Sequence, residues 1–349
     1  LQAPECLGLK QRLADGETVL CAEGYLFELE RRGYLKAGHF VPEAVLDHPQ
    51  IVTALHEEFV HAGSDVVQAL TYYGHREKLR HINRENDLEL FNKQALKLAK
   101  QVATQTDTLL AGNICNSAIY EHDPDNPKNI EKIRQIFKEQ VLWAVEGGVD
   151  FLIAETYSNF GEAKIALQTA LEYGNGTPIV VNIIPFALQT VPNAVQELLD
   201  AGATVAGMNC GFGLPTMTHA MTDVCKRTKD GYLACLPVPY RTTPETPSMQ
   251  NLTLPNGSRA FFEDLDAFYC AQSEIREFGK TMKALNVQFL GICCGNSSRH
   301  FRALAESVGR VPPASKYSTD MTQHYILGSD AHVGGGVKHV VDGDWKLSG

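Results

Sequence analysis

Val287 to Gly295 reads VQFLGICCG, an apolar run that stops at two adjacent cysteines and a glycine. Thr204 to Gly211 reads TVAGMNCG, a second apolar run stopping at a cysteine, and Asp150 to Tyr157 reads DFLIAETY, stopping at a glutamate. Continuous apolar runs of this length are what strands covered on both faces look like. Working outward, the same pattern predicts eight strands: Thr18–Cys21, Asp65–Leu70, Leu109–Asn113, Asp150–Ala154, Pro178–Ile183, Thr204–Asn209, Gly231–Leu236 and Val287–Ile292. Stretches of helical period lie between them, among them Val45–His61, Asp87–Thr104, Asn129–Val145 and Leu265–Leu285. Gly63, Gly147, Gly148 and Gly202 mark helix stops or strand entries. Eight buried strands alternating with helices predict an α/β fold, a closed parallel (β/α)8 TIM barrel. An open doubly wound sheet is the alternative. It ordinarily carries a glycine-rich phosphate loop after its first strand, and here that turn reads AEGYLF.

Composition agrees with one barrel of 349 residues, since the fold typically takes ~250 residues plus insertions. The net charge of −10, from 31 basic against 41 acidic residues, comes without a basic cluster, which argues against nucleic acid as a partner. No apolar run reaches the ~18 residues that span a bilayer, and LQAPECLGLKQRL has no signal-peptide core. Nine cysteines without the spacing of a secreted module read as reduced thiols, and a cytoplasmic location is expected. Residues 1–311 are assigned to the barrel and residues 312–349 to a C-terminal extension, flexible or an oligomer contact. Pro237 to Arg259 is too long for an ordinary connection, and loops over ~12–15 residues are usually functional or mobile.

The C-terminal strand ends and following loops form the active-site face of such a barrel. Cys210, Cys293, Cys294 and Glu155 therefore point into one mouth. Neighbouring side chains alternate faces within a strand, so Cys293 and Cys294 reach one ion only if the strand breaks, and Gly295 supplies the break. Three thiolates suit zinc and leave its fourth position open; a strained vicinal disulfide is the rival reading. Such a centre is suited to holding a fourth thiol deprotonated while keeping it nucleophilic, rather than to activating water. The other cysteines read as small buried hydrophobes. His56 to His61 resembles a zinc-protease motif, but its second histidine is five residues on, and the segment is expected to be a solvated helix face. His75, His81 and His300 read as surface or satisfied groups. Phe40, Tyr72 and Tyr73 offer aromatic faces for a quaternary ammonium or sulfonium, or simply pack the rim.

Taken together, these residues resemble the homocysteine S-methyltransferase family, most closely its betaine–homocysteine branch, from about Leu9 to Arg310. FELERRGYLKAG (Phe27–Gly38), GVDFLIAET (Gly148–Thr156), MNC (Met208–Cys210) and GICCG (Gly291–Gly295) carry the likeness. The resemblance implies a barrel in which Cys210, Cys293 and Cys294 hold Zn2+, and homocysteine and an onium methyl donor, betaine first, as substrates. It implies that Glu155 receives the homocysteine amino group and that Phe40 and Tyr73 flank the donor. A homo-oligomer is a family habit.

This chain departs from the family at several points. Ala22 stands where the first-strand turn commonly carries an aspartate, so Glu23, beside Gly24, is the substitute acid. Thr156 stands where a tyrosine caps zinc in the betaine branch, and the strand period turns Tyr157 away. Phe40 replaces a tryptophan. The alternatives are a sulfonium donor such as S-methylmethionine, or a redox or zinc-binding barrel without methyl transfer.

Overall fold

A computed structural model describes residues 7–120, 125–185 and 190–324. Eight parallel strands close into a barrel in chain order: β1 (Val19–Ala22), β2 (Val66–Gln68), β3 (Leu109–Cys115), β4 (Phe151–Tyr157), β5 (Ile179–Ile183), β6 (Val205–Gly213), β7 (Tyr232–Val238) and β8 (Phe289–Ile292). Closure is made by β1 on β8, from Val19 opposite Phe289 to Ala22 opposite Ile292. The (β/α)8 expectation holds, and all eight predicted strands are present within a few residues of their expected bounds.

The barrel interior is sorted by depth. Val19, Val66, Leu109, Phe151, Val205 and Phe289 belong to an apolar floor that Leu9 and Leu13 of the helix Leu9–Ala14 close from below. Two residues further along several strands, on the same inward face, the sequence turns polar. Ala111 gives way to Asn113, Ile153 to Glu155, Val180 to Asn182 and Val66 to Gln68, all buried. The period-two strand therefore builds an oily base and a polar ceiling along one inward face. Register shifts fall between Ala154 and Tyr157 on β4 and between Asn209 and Gly213 on β6. Bulges re-aim side chains, and these two lie on the strands that carry Glu155 and Cys210.

Three expectations about helices are corrected. The stretch Val45–His61 is two helices, Ala44–Asp47 and Pro49–His61, because Pro49 disfavours helix at the residue before it. The stretch Leu265–Leu285 is helical only over Gln272–Ala284; Leu265–Phe268 is a 3-10 turn, and Tyr269 then bridges Tyr240 in extended form. The face of Pro49–His61 carrying His56 is not solvated. His56 lies on the buried stripe Val52, Leu55, His56, Phe59, at helical spacing, and packs edge-on to Tyr25 at 5.0 Å.

The segment after β7 is folded onto the mouth. The Phe212–Ser248 bridge ties it to β6, the Thr253–Arg259 bridge folds it back on itself, and Met249, Leu252, Ala260 and Leu265 pack with Phe27, Tyr240, Cys210 and Cys293. Of the C-terminal extension, residues 312–324 form 3-10 turns at Pro313–Tyr317 and Met321–Gln323; residues 325–349 lie outside the described residues. Cys6 does too. Among the described residues no helix is long and apolar enough to cross a membrane.

Candidate active site

Cys210, Cys293 and Cys294 converge at the strand ends, with their sulfurs all within 4.8 Å of one another. Cys210 Sγ lies 3.5 Å and Cys293 Sγ 3.9 Å from Cys294 Sγ, and all three thiols are free. A tetrahedral ion with ~2.3 Å bonds to sulfur needs ligand edges of about 3.8 Å, so the donor set fits a soft-ligand metal. Cys293 and Cys294 follow the last residue of β8, and Gly295 turns the chain with φ +90°. A side chain at Gly295 would come within 2.2 Å of the Tyr240 hydroxyl. On the opposite side, Gly24, φ +87°, leaves room for the Cys293 carbonyl, which a Cβ there would meet at 2.6 Å. Hydrogen bonding with Cys293 and Cys294, helped by backbone groups of Gly211 and Cys294, holds the Cys210 thiol well below its ordinary value. Burial pushes the Cys293 thiol up, and hydrogen bonding to Cys210 does the same for Cys294.

Below the thiols lie two buried carboxyls. Glu155 accepts from Gln68 Nε2 at 2.6 Å and from Asn113 Nδ2 on one oxygen, and from Asn209 Nδ2 at 2.8 Å on the other. Glu23 reaches the same amide at 3.2 Å through Oε2, while its Oε1 has no hydrogen-bond partner among the described residues. Burial raises both carboxyls, and for Glu23 the charge of Glu155 adds to it. Two acids held this close favour a cationic group between or above them. Asn209 also ties the Thr156 backbone, accepting from Thr156 N at 3.1 Å.

The cavity above is about 420 Å³, enough for two small substrates. Glu23, Gly24, Phe40, Tyr72, Tyr73, Glu155, Thr156 and the three cysteines all line it. The aromatics divide into two groups. Phe40 stacks on Phe27 at 5.9 Å, and Tyr72 and Tyr73 contact each other at 4.5 Å. Lys78 already places its ammonium 3.9 Å from the Tyr73 ring. Tyr157 is turned away as expected, its hydroxyl donating to Ile114 O at 3.2 Å beneath the helices.

Sequence reasoning missed Gln68, Asn113 and Asn209, although a polar residue closing an apolar strand is a readable signal, because such a buried group needs a partner. It also missed Glu162, which lines the cavity and accepts from Ser117 N at 2.7 Å and from the Ser117 hydroxyl. His75 is buried rather than at the surface, 6.2 Å from the Tyr73 ring. His300 is buried and bonded to Ser297 and to Cys270 O.

Leaving aside Asn and Asp, the described non-glycine residues with left-handed backbone are Phe40, Tyr73, Ala118, Thr156 and Cys210, and all five line this cavity. Left-handed φ costs about 1–2 kcal/mol for such residues, and strain of this kind gathers at functional sites. Ala118 is the one whose side chain contributes least, so Ala118→Gly is expected to raise unfolding free energy by about 1 kcal/mol. Urea unfolding checks this, and an unchanged or lowered stability would contradict it.

Residues 23–308 match the homocysteine S-methyltransferase family. The chain is 32% identical over 327 residues to mouse betaine–homocysteine S-methyltransferase 1, covering 88% of this chain and 77% of that protein. It is 32% identical over 320 residues to S-methylmethionine–homocysteine S-methyltransferase from Pongo abelii, covering 88% and 84%. In fold it is similar to the Escherichia coli homocysteine methyltransferase MmuM in its metallated form, with TM-score 0.67 at 16% identity, covering 85% of this chain and 99% of that one. The chain therefore belongs to the homocysteine S-methyltransferase family and is a methyltransferase.

Proposed function

We propose that the protein moves a methyl group from betaine or a related onium donor to the thiol of homocysteine, forming methionine, with zinc held by Cys210, Cys293 and Cys294. The observation that carries this reading is the convergence of three thiols, two buried carboxyls and an aromatic wall on one cavity. Bound there, zinc would supply a positive centre with an open position at which a substrate thiol is held deprotonated near neutral pH.

The chain's own residues do the rest. Glu155, fixed by three amides, and Glu23, with one oxygen still unpaired, receive the homocysteine ammonium. Gly24 and Thr156 shape the wall beside it. Phe40, Tyr72 and Tyr73 face the donor cation and keep water from it. The sulfur lone pair forms the new S–CH3 bond as the donor's C–N or C–S bond breaks. The bonding pair leaves on a neutral amine or thioether, and the thiol proton passes to solvent. No general acid is needed. Glu155→Gln is expected to lower kcat/KM for homocysteine by about 10- to 100-fold, the worth of a hydrogen bond to charge, chiefly through KM. A kcat/KM within twofold of the parent would remove Glu155 from this role.

A second reading rests on Glu162. A donor with an ammonium at its far end, such as S-methylmethionine, would meet that buried carboxylate favourably, whereas betaine brings a carboxylate of its own. Zinc-loaded protein should be given homocysteine with betaine, S-methylmethionine or a dimethylsulfonio compound, one at a time. Methionine from betaine is expected. Turnover only with sulfonium donors would favour the second reading, and none with any donor would leave a metal-binding or redox barrel.

A further inference from the structure

The turn Cys293–Cys294–Gly295 is gripped from outside by residues that do not line the cavity. Tyr269 donates its hydroxyl to the Gly295 carbonyl and accepts from Arg31 Nη1. Arg31 Nη2 donates to the Tyr240 hydroxyl at 3.1 Å and to Asp266 Oδ1 at 3.0 Å. The guanidinium carbon lies 5.0 Å from the centre of the Tyr269 ring, which also stacks on His300 at 4.9 Å. The two tyrosines are joined by a β-bridge, with Cys270 N donating to Pro239 O at 2.9 Å, so the phenols are carried by one paired strap. Tyr240 is fully buried and fills the space that a Gly295 side chain would need.

We infer that Arg31, Tyr240 and Tyr269 are a positioning clamp that sets how tightly the three-cysteine site retains its metal, an inference that rests on the zinc reading above. Cys293 is anchored by the barrel itself: its N–H donates to Pro237 O at 2.8 Å, and its carbonyl accepts from Asn296 N at 2.9 Å. Cys294 is the more exposed of the pair, and the Gly295 carbonyl is the fixed point immediately after it. A thiolate leaves a metal by rotating its turn outward, the movement that the Tyr269 hydrogen bond and the Tyr240 ring oppose. Arg31 strengthens the grip, because a phenol accepting from a guanidinium is a better donor through its own O–H. Outer contacts of this kind orient metal ligands and are commonly worth 10–100-fold in affinity.

Zinc-loaded Tyr269→Phe, which loses only the hydroxyl, and Arg31→Gln should be mixed with a chromophoric chelator and zinc release followed in time. Both variants are expected to release zinc about 10-fold faster than the parent. The metal-free unfolding midpoint stays close to the parent's in Tyr269→Phe and falls in Arg31→Gln, which leaves the buried Tyr240 hydroxyl without its guanidinium partner. Release at the parental rate overturns the clamp while leaving the zinc site standing. Faster release accompanied by an equal loss of metal-free stability in both variants also overturns it, as general loosening. A parent that takes up no zinc overturns the zinc reading and the clamp with it.

Discussion

Cys210→Ala is expected to empty the metal site and to abolish methionine formation, whichever onium donor is supplied. Structural zinc sites are worth ~10–16 kcal/mol, so one ligand of three accounts for several kcal/mol, on the order of a 10³-fold loss in affinity. The position is demanding because left-handed backbone at Cys210, φ +58°, is what swings its sulfur off the strand line to within 3.5 Å of Cys294. Cys235→Ala is the matched control. Its thiol is equally buried but packs in the layer between sheet and helices, so that variant should retain zinc and turnover. Zinc content after dialysis and methionine formation check both. A Cys210→Ala protein that keeps stoichiometric zinc and full activity would remove the three-cysteine site from the mechanism.

The second large effect concerns acid. His56 is fully buried with no hydrogen-bond partner among the described residues, and burial lowers its pKa to about 3, against an ordinary value of 6.5. The fold therefore favours the neutral ring. Its contribution is complete above pH 6.5, where the unfolded chain is also neutral, and is lost as pH falls towards 3. Each pH unit in that window costs ~1.4 kcal/mol. His75 and His300, each lowered to about 4 by burial, act in the same direction, while the raised carboxyls of Glu23 and Glu155 act in the opposite one. Comparison with His56→Leu cancels all of these. Relative to its effect at pH 7, that substitution is expected to gain ~2.7 kcal/mol of stability at pH 4.5. Unfolding curves at the two pH values check it, and a difference that does not change with pH would contradict a buried neutral His56.

The strands were legible because a strand covered on both faces leaves a continuous apolar signature, and all eight runs are of that kind. The thiols were legible because two cysteines before a glycine have few structural reasons to be adjacent. The amide shell around Glu155 was not. Gln68, Asn113 and Asn209 stand 87, 42 and 54 residues from the carboxylate they hold, and only barrel register brings them together. Glu162 looked like any acid in a helix's first turn. His56 was misread because its spacing was weighed only against His61 as a metal motif, whereas its spacing to Val52, Leu55 and Phe59 places it on the dry face. The break before Gln272 was hidden by apolar residues that continue the helical period into a bridged strap.

The most direct test of the central claim is methionine formation from homocysteine and an onium donor, measured before chelation, after it, and after zinc is returned. Turnover that disappears with the metal and returns with zinc is the result this account predicts. Undiminished turnover by the metal-free protein would contradict it.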